Sequence, residues 1–336
     1  MSNAVDMKTD ALWKRIFSGG SGAIWIATIA LFAISPIVSA GSLSEAAVRG
    51  MLPFAAVLAI AAIGQTLVVQ QRGLDLSVPG MMAFGAVLVS GLPQWYGWPA
   101  PLAVAAAIVF PALVGLLNGV IITVFGVMPL VVTLGVNAVL LGTVFAISNG
   151  TPAGAPAGLA TFAKGYIGII PNAAIIAIVV AVVAGVIAHR TIAGWRLTAI
   201  GVSEPAARAL GLRVVMYQTI AYGLAGGAYG VAAVLYTGYV TTPPLFFGDV
   251  YLLPTVAAVV LGGTALSGGR AALVSTAVAA LFLTQLGQLL RAVGWPEPLQ
   301  LVAQAAVLLV VVLLRAIVPS LARSLAARRT PAAVTA

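Results

Sequence analysis

The side chains able to do chemistry in this sequence are amides, hydroxyls and phenols set inside long apolar runs. Gln65, Thr66, Asn118, Thr133, Asn137, Tyr222, Tyr229, Tyr236, Gln285 and Gln288 all lie in such runs. Each carries a hydrogen-bonding group that needs a partner wherever water is absent. Tyr222, Tyr229 and Tyr236 recur every seven residues and so share one face of a helix. Gln285 and Gln288, three apart, share a face of another. Groups of this kind have two uses. They bond helix to helix, or they line a path for a neutral, hydroxylated solute. Gln65, Asn118, Asn137, Tyr222, Tyr229, Gln285 and Gln288 are the candidate lining. Bond-making chemistry is poorly served. There is no cysteine, so thiolate and disulfide chemistry are excluded. The single histidine, His189, stands at the end of an apolar run and reads as an interfacial residue. No acidic cluster could hold a divalent ion. Neither a metal site nor a catalytic residue is expected.

The elements that must position these groups are membrane spans. Of 336 residues, 62% are hydrophobic and 7% charged, against about 25% charged in a soluble domain. The apolar runs are continuous and near the ~20 residues one crossing needs, which also argues against a β-barrel built from short alternating strands. Ten spans are expected, at about 22–41, 51–70, 75–92, 101–125, 129–148, 172–189, 215–238, 250–267, 271–290 and 299–318. The third and eighth are short and rich in Gly or Pro. The N-terminus opens with a polar stretch and does not read as a cleavable signal.

Charge orients the chain. With both termini cytoplasmic, the inner segments hold Lys8, Lys14, Arg15, Arg72, Arg190, Arg196, Arg208, Arg213, Arg270, Arg315, Arg323, Arg328 and Arg329. The outer loops hold only Arg49, Lys164 and Arg291. The net charge of +9 is therefore topological signal and not a nucleic-acid footprint. Trp95, Tyr96, Trp98 and Trp295 suit the outer interface. The longest outer loop, about 149–171, is turn-rich. No span carries a central Asp, Glu, Lys or Arg, which disfavours a proton- or ion-coupled carrier. The whole chain, 1–336, is one transmembrane domain, with a segment 1–21 and a tail 319–336 on the cytoplasmic side. Its longest polar segment, about 190–214, leaves no room for a nucleotide-binding or receptor domain, so energised work needs a partner.

Three polar segments stand out. In the first, Ser203 is a fair N-cap, Pro205 suits a first turn and Glu204 suits the positive helix end. Ala206, Ala207, Arg208, Ala209 and Leu210 favour a helix that Gly211 stops. This spacing predicts a short cytoplasmic helix, either a knob for a partner's groove or a plain connector. In the second, Gly73-Leu-Asp-Leu-Ser77, Asp75 is expected to cap the next helix with Arg72 beside it. In the third, Leu261-Gly-Gly-Thr-Ala-Leu-Ser-Gly-Gly-Arg270, the paired glycines predict a tight cytoplasmic turn. No Gly-Lys-Ser/Thr follows them, so a phosphate loop is not expected.

These segments resemble, in order and spacing, the permease subunits of bacterial ABC importers for monosaccharides of the ribose/xylose/galactose/arabinose type. The matching stretches are Gly73–Ser77, Val132-Thr-Leu-Gly135 with Ser148-Asn-Gly-Thr-Pro152, Ala199–Gly211, and Ala257–Arg270. Pro79, Gly80 and Ala271 depart from the family's usual residues. The resemblance implies an all-α integral membrane fold with about ten transmembrane helices, both termini cytoplasmic, and an inverted repeat of the two halves. It implies a non-enzymatic permease in the bacterial inner membrane, paired as a homo- or heterodimer. A cytoplasmic ATPase pair would carry the ATP and Mg, and a periplasmic binding protein would deliver a neutral sugar. Gly201, Ser203, Glu204, Ala206, Ala207, Arg208, Leu210 and Gly211 would form the ATPase-coupling loop. Outer loops near Trp95–Trp98, Thr151 and Trp295–Pro298 would meet the binding protein. Alternatives are the same class importing an autoinducer-like furanose, polyol or nucleoside, or a stand-alone carrier or channel.

Overall fold

The computed structural model describes residues 22–296, 298–310 and 313. The expected segment 1–21, the tail 319–336, and Lys8, Lys14, Arg15, Arg315, Arg323, Arg328 and Arg329 lie outside the described residues.

The chain is helical almost throughout. In order the helices are α1 (Gly22–Val38), α2 (Glu45–Gln70), α3 (Val78–Tyr96), α4 (Ala100–Phe125), α5 (Pro129–Ser148), α6 (Ala157–Lys164), α7 (Asn172–Arg190), α8 (Ile192–Val202), α9 (Glu204–Ala209), α10 (Val214–Val240), α11 (Asp249–Gly262), α12 (Leu273–Ala292) and α13 (Pro298–Val310). Local chemistry sets their ends. Ser44 Oγ accepts the Ala47 N–H at 3.3 Å to cap α2. Prolines open α3, α4 and α5 in their first turns. Left-handed Gly97 and Gly126 close α3 and α4.

A helix stands at each of the ten expected spans, the tenth of which, 299–318, lies outside the described residues beyond Val310 except for residue 313. Six of them, α2, α4, α5, α7, α10 and α12, are long and apolar enough to cross a membrane. The expected span 250–267 is cut short. Its helix, α11, ends at Gly262 because Gly263 turns left-handed at φ 104. At 14 residues α11 is about 21 Å long by helix rise, less than the ~30 Å hydrocarbon core. The expected outer loop, 149–171, is more ordered than a run of turns. It holds α6 and a two-residue antiparallel hairpin, β1 (Tyr166–Ile167) with β2 (Ile170–Pro171).

The loops sort to two ends as the charge pattern requires. At one end, residues 70–72, α8 and the 263–272 loop bond to each other. At the other, Gly154 N donates to Gln94 Oε1 at 2.6 Å, Ala155 N to Thr241 O at 2.7 Å, and Arg49 lies over the Tyr166 ring. We call these the basic end and the opposite end.

α2 and α10 form the centre. The apolar stretch of α2 is 83% buried, against 22% for α4, α5 and α7. The outer helices turn Phe110, Leu113, Leu117, Val139, Phe145 and Val182 outward, an apolar wall suited to lipid. Glycines bring α4 and α10 to backbone contact. A Cβ at Gly115 would lie 2.2 Å from Tyr222 O, at Gly226 2.1 Å from Pro111 O, and at Gly230 2.5 Å from Ala107 O. Small residues at this spacing replace the hydrophobic drive that lipid cannot supply.

Candidate functional site

The segment 190–214 is two helices, not an open loop. Thr191 Oγ1 accepts the Gly194 N–H at 3.3 Å and starts α8. Ser203 Oγ accepts the Ala206 N–H at 3.4 Å and starts α9, and Gly211 follows it with φ 77. The expected cap, helix and stop are all present. Arg208 donates to Glu204 Oε1 at 2.6 Å one turn away, and Gln218 of α10 donates to Glu204 Oε2 at 3.4 Å. Ala207 packs under Ile200 and Val214, while Ala206, Arg208, Leu210 and Gly211 face outward. Leu210 is 78% exposed and Trp195 of α8 is 69% exposed. Both are large apolar side chains left bare at the basic end.

The Gly73–Ser77 segment draws three of the sequence candidates together. Asp75 Oδ1 accepts the Ser77 N–H at 2.9 Å and the Ser77 hydroxyl. Asn118 Nδ2 donates to Ser77 Oγ at 3.1 Å, Leu76 N donates to Thr133 Oγ1 at 3.0 Å, and Gly80 N donates to Asn137 Oδ1 at 2.8 Å. Asn118 and Asn137 thus hold a buried turn between α2 and α3. Two expectations are corrected. Asp75 bonds the residue before α3 rather than the helix's own first-turn donors, because Ser77, two residues on, is in reach. Arg72 is not beside it. Its backbone, at φ 65, carries the side chain to the end of α8. Replacing Asp75 by alanine would strand the Ser77 N–H in a fully buried site. A loss of about 1–3 kcal/mol is expected, read as a lower unfolding midpoint in detergent, with Asp75→Asn much closer to the parent.

The remaining candidates are dispersed. Tyr229 donates to Gln65 Oε1 at 2.7 Å, a fully buried tie between α10 and α2. Gln285 donates to Ser35 Oγ at 3.0 Å and Gln288 to Ser42 O at 2.8 Å, joining α12 to α1 and the turn that follows it. Tyr222 lines a cavity of about 340 Å³ at the basic end, shared with Gly73, Glu204, Arg208 and Gln218. Six of the seven thus bond across helices in this conformation, and one faces open space.

A second cavity, of about 310 Å³, opens at the opposite end between α2, α10, α11, α12 and α13. Phe54, Tyr236 and Tyr251 give it aromatic walls, and Thr284, Arg291, Gln300 and Gln304 give it hydrogen-bonding groups. Tyr236 stacks on Phe247 with centroids 4.1 Å apart and planes at 7°. The volume sits at the lower end of the ~300–1,000 Å³ typical of small-molecule sites. Of these residues only Tyr236 carried a sequence signal, its heptad spacing. Arg291 read as a loop charge, and Gln300 and Gln304 could have been noticed as an i, i+4 pair. Tyr222, Tyr229 and Tyr236 do share one side of α10, and they step from the cavity at the basic end, through the buried Gln65 bond, to the one at the opposite end, the outer cavity on the charge-based reading.

Comparison with known proteins places this arrangement. Residues 48–312 match a family model described as branched-chain amino acid transport system / permease component. The chain belongs to this permease family. The permease is 32% identical to the ribose import permease RbsC of Bacillus subtilis over 317 residues, covering 92% of this chain and 98% of that one. It is also 32% identical to RbsC of Escherichia coli K12, over 86% of this chain and 91% of that one. It is 32% identical to the autoinducer 2 import system permease LsrD of Klebsiella pneumoniae, over 77% of this chain and 80% of that one. No solved structure matches the chain. The permease is a multi-pass, all-α membrane protein of the sugar ABC importer type.

Proposed function

We propose that the permease forms the translocation path of an ATP-driven importer in a bacterial inner membrane, taking a neutral sugar from a periplasmic binding protein. The observation that carries this reading is the outer cavity. Aromatic rings beside amides and a guanidinium suit a ring with hydroxyls on its edge and apolar C–H faces. The ribose and autoinducer 2 relatives support it by name. Trp98 and Trp295, both exposed on the same end, lie where a delivering protein would seat, with Thr151 in the neighbouring loop. Gln65, Asn118, Asn137, Tyr222, Tyr229, Gln285 and Gln288 are then the polar groups of the path and its walls, regrouping as access alternates between the ends. The permease does no bond chemistry and binds no cofactor of its own. ATP and Mg belong to cytoplasmic subunits that receive α9, and a second permease subunit completes the path. The two halves would be an inverted repeat.

Reconstitution in vesicles with candidate ATPase subunits and binding protein, followed by uptake of labelled pentoses, tests this. ATP-dependent uptake is expected, and uptake needing no ATPase would instead establish a stand-alone carrier. In the same assay Glu204→Lys is expected to lower solute-stimulated ATP hydrolysis severalfold while leaving membrane insertion intact. The substitution places two like charges one turn apart and removes the bond to Gln218. Unchanged coupling would remove α9 from the docking role. The LsrD relative favours one alternative cargo of the same chemistry, a furanose-like autoinducer. A calorimetric screen of the binding protein separates it from a pentose.

A further inference from the structure

α2 does not end free at the basic end. Its last residues are fastened to α8 and to the 263–272 loop. Gly269 N donates to Gln70 O at 2.9 Å. Gln70 Nε2 donates to Thr198 Oγ1 and Gln71 Nε2 to Leu197 O, both at 3.1 Å. Arg72 Nε donates to Gly201 O at 2.9 Å, and its Nη2 reaches Val202 O. Those two carbonyls belong to the last turn of α8, where acceptors have no partner within the helix and the dipole is negative. A guanidinium placed there satisfies both with charge-assisted bonds. To reach them Arg72 adopts φ 65, which is uncommon for a residue with a side chain. Among the described residues neither ion pair involves Arg72, so its guanidinium serves the α8 terminus.

Glycines remove all clearance at this point. A Cβ on Gly201 would lie 2.0 Å from Gln70 O and 2.5 Å from Gly269 N. One on Gly268 would lie 2.4 Å from Arg72 Cγ, and one on Gly269 2.6 Å from Val202 Cγ2. Gly268 and Gly269 are both left-handed, at φ 84 and 81. At Gly201 the three chain segments meet backbone to backbone, and the Arg72 and Val202 side chains close against Gly268 and Gly269. The paired glycines of the 261–270 segment are therefore one wall of a joint, beyond the tight turn that their sequence suggested.

We infer that Arg72 is the positioning residue of a joint that stays closed through the transport cycle and carries displacement of α9 into α2. This rests on the docking role proposed for α9. The linkage is direct. α9 continues from α8 through Ser203, α8 is held to the end of α2, and α2 is the most deeply buried of the long spans. With 26 residues, α2 runs about 39 Å, and its far turns place Phe54 and Leu58 on the outer cavity. A push on α9 thus reaches the cavity wall through one stiff rod. α9 and α8 also meet α10, through the Glu204–Gln218 bond of 3.4 Å, the packing of Ala207 on Val214 and the Arg196–Tyr217 bond of 2.6 Å, so the α2 route is the one that Arg72 controls.

The test uses the reconstituted complex and reads solute transported per ATP hydrolysed, with ATPase-subunit binding measured in parallel. Arg72→Ala is expected to lower that ratio about tenfold, within the range for residues that carry coupling between sites, without weakening subunit binding. Arg72→Lys, able to reach one carbonyl, should fall between. The chain lacks cysteine, so Gln70→Cys with Thr198→Cys gives a unique pair. Both positions line a wide cavity open to a short bifunctional methanethiosulfonate linker. Linking the pair in the Arg72→Ala background should restore the ratio, and linking it with Arg72 intact should leave transport running. Unchanged coupling in Arg72→Ala, or arrest of transport by the link with Arg72 intact, overturns the inference. If Arg72→Ala fails to assemble, the linked pair with Arg72 intact still decides. Absence of ATP-driven transport in the unaltered complex would count against the docking reading itself, and so is told apart from failure of the joint.

Discussion

Gly226→Val is expected to cause a severe loss of folded permease. The new Cβ would sit 2.1 Å from Pro111 O and 2.8 Å from Pro111 C, both backbone atoms of α4. Neither can step aside without moving the helix. Overpacking a tight interior costs about 1–3 kcal/mol, and here the strain falls on an interface that Gly115 and Gly230 also bring to backbone contact. The expected result is a clear fall in monodisperse protein after detergent extraction and a lower unfolding midpoint for what remains. Gly227→Ala is the matched control. Its Cβ would find only Ala112 Cβ at 3.6 Å, an ordinary contact. Equal losses from both changes would show that α4 and α10 do not pack as described.

Tyr236→Ala should act on transport. Tyr236 stacks on Phe247 and meets Tyr251 edge-on at 5.9 Å and Phe54 at 6.1 Å. Such pairs contribute about 0.5–1.5 kcal/mol each beyond the area they bury. Removing the shared ring breaks all three contacts at once, although Phe247 still meets Tyr251 and Phe54 still meets Tyr239. Uptake is expected to fall at least about tenfold, which corresponds to about 1.4 kcal/mol, while ATP hydrolysis without solute stays near the parent level. Tyr236→Phe keeps the ring contacts and should retain most of the uptake if stacking is the main contribution. An uptake rate in Tyr236→Ala equal to the parent's would exclude the outer cavity from the path.

Much of this organisation was legible in the sequence because lipid imposes simple rules. Continuous apolar runs near the length of a crossing became helices at all ten expected places. The charge pattern sorted the loops to the ends where they meet. α9 was legible because Ser203, Pro205 and Gly211 act locally, within a few residues of themselves. What distant segments decide was not legible. Asp75 could be read as a helix cap with Arg72 nearby, yet Arg72 bonds carbonyls about 130 residues along the chain. The outer cavity joins residues of α2, α10, α11, α12 and α13, and periodicity within one helix says nothing about which five helices will meet. The polar side chains in the spans were recognised as groups needing partners, but which served the packing and which faced a cavity depended on the tertiary arrangement.

The construction of α9 has a consequence for how such permeases diversify. Its cap, its Glu204–Arg208 pair and its glycine stop all fall between residues 203 and 211. The element largely makes its own shape, and only Ala207 and Glu204 reach back to the body. Exposed positions such as Ala206 and Leu210 are therefore free to drift without disturbing the helices in lipid. On the docking reading, a lineage can exchange one ATPase client for another by rewriting a few surface residues. The same nine-residue cassette offers an engineer a place to splice a relative's sequence and redirect the permease to a different motor.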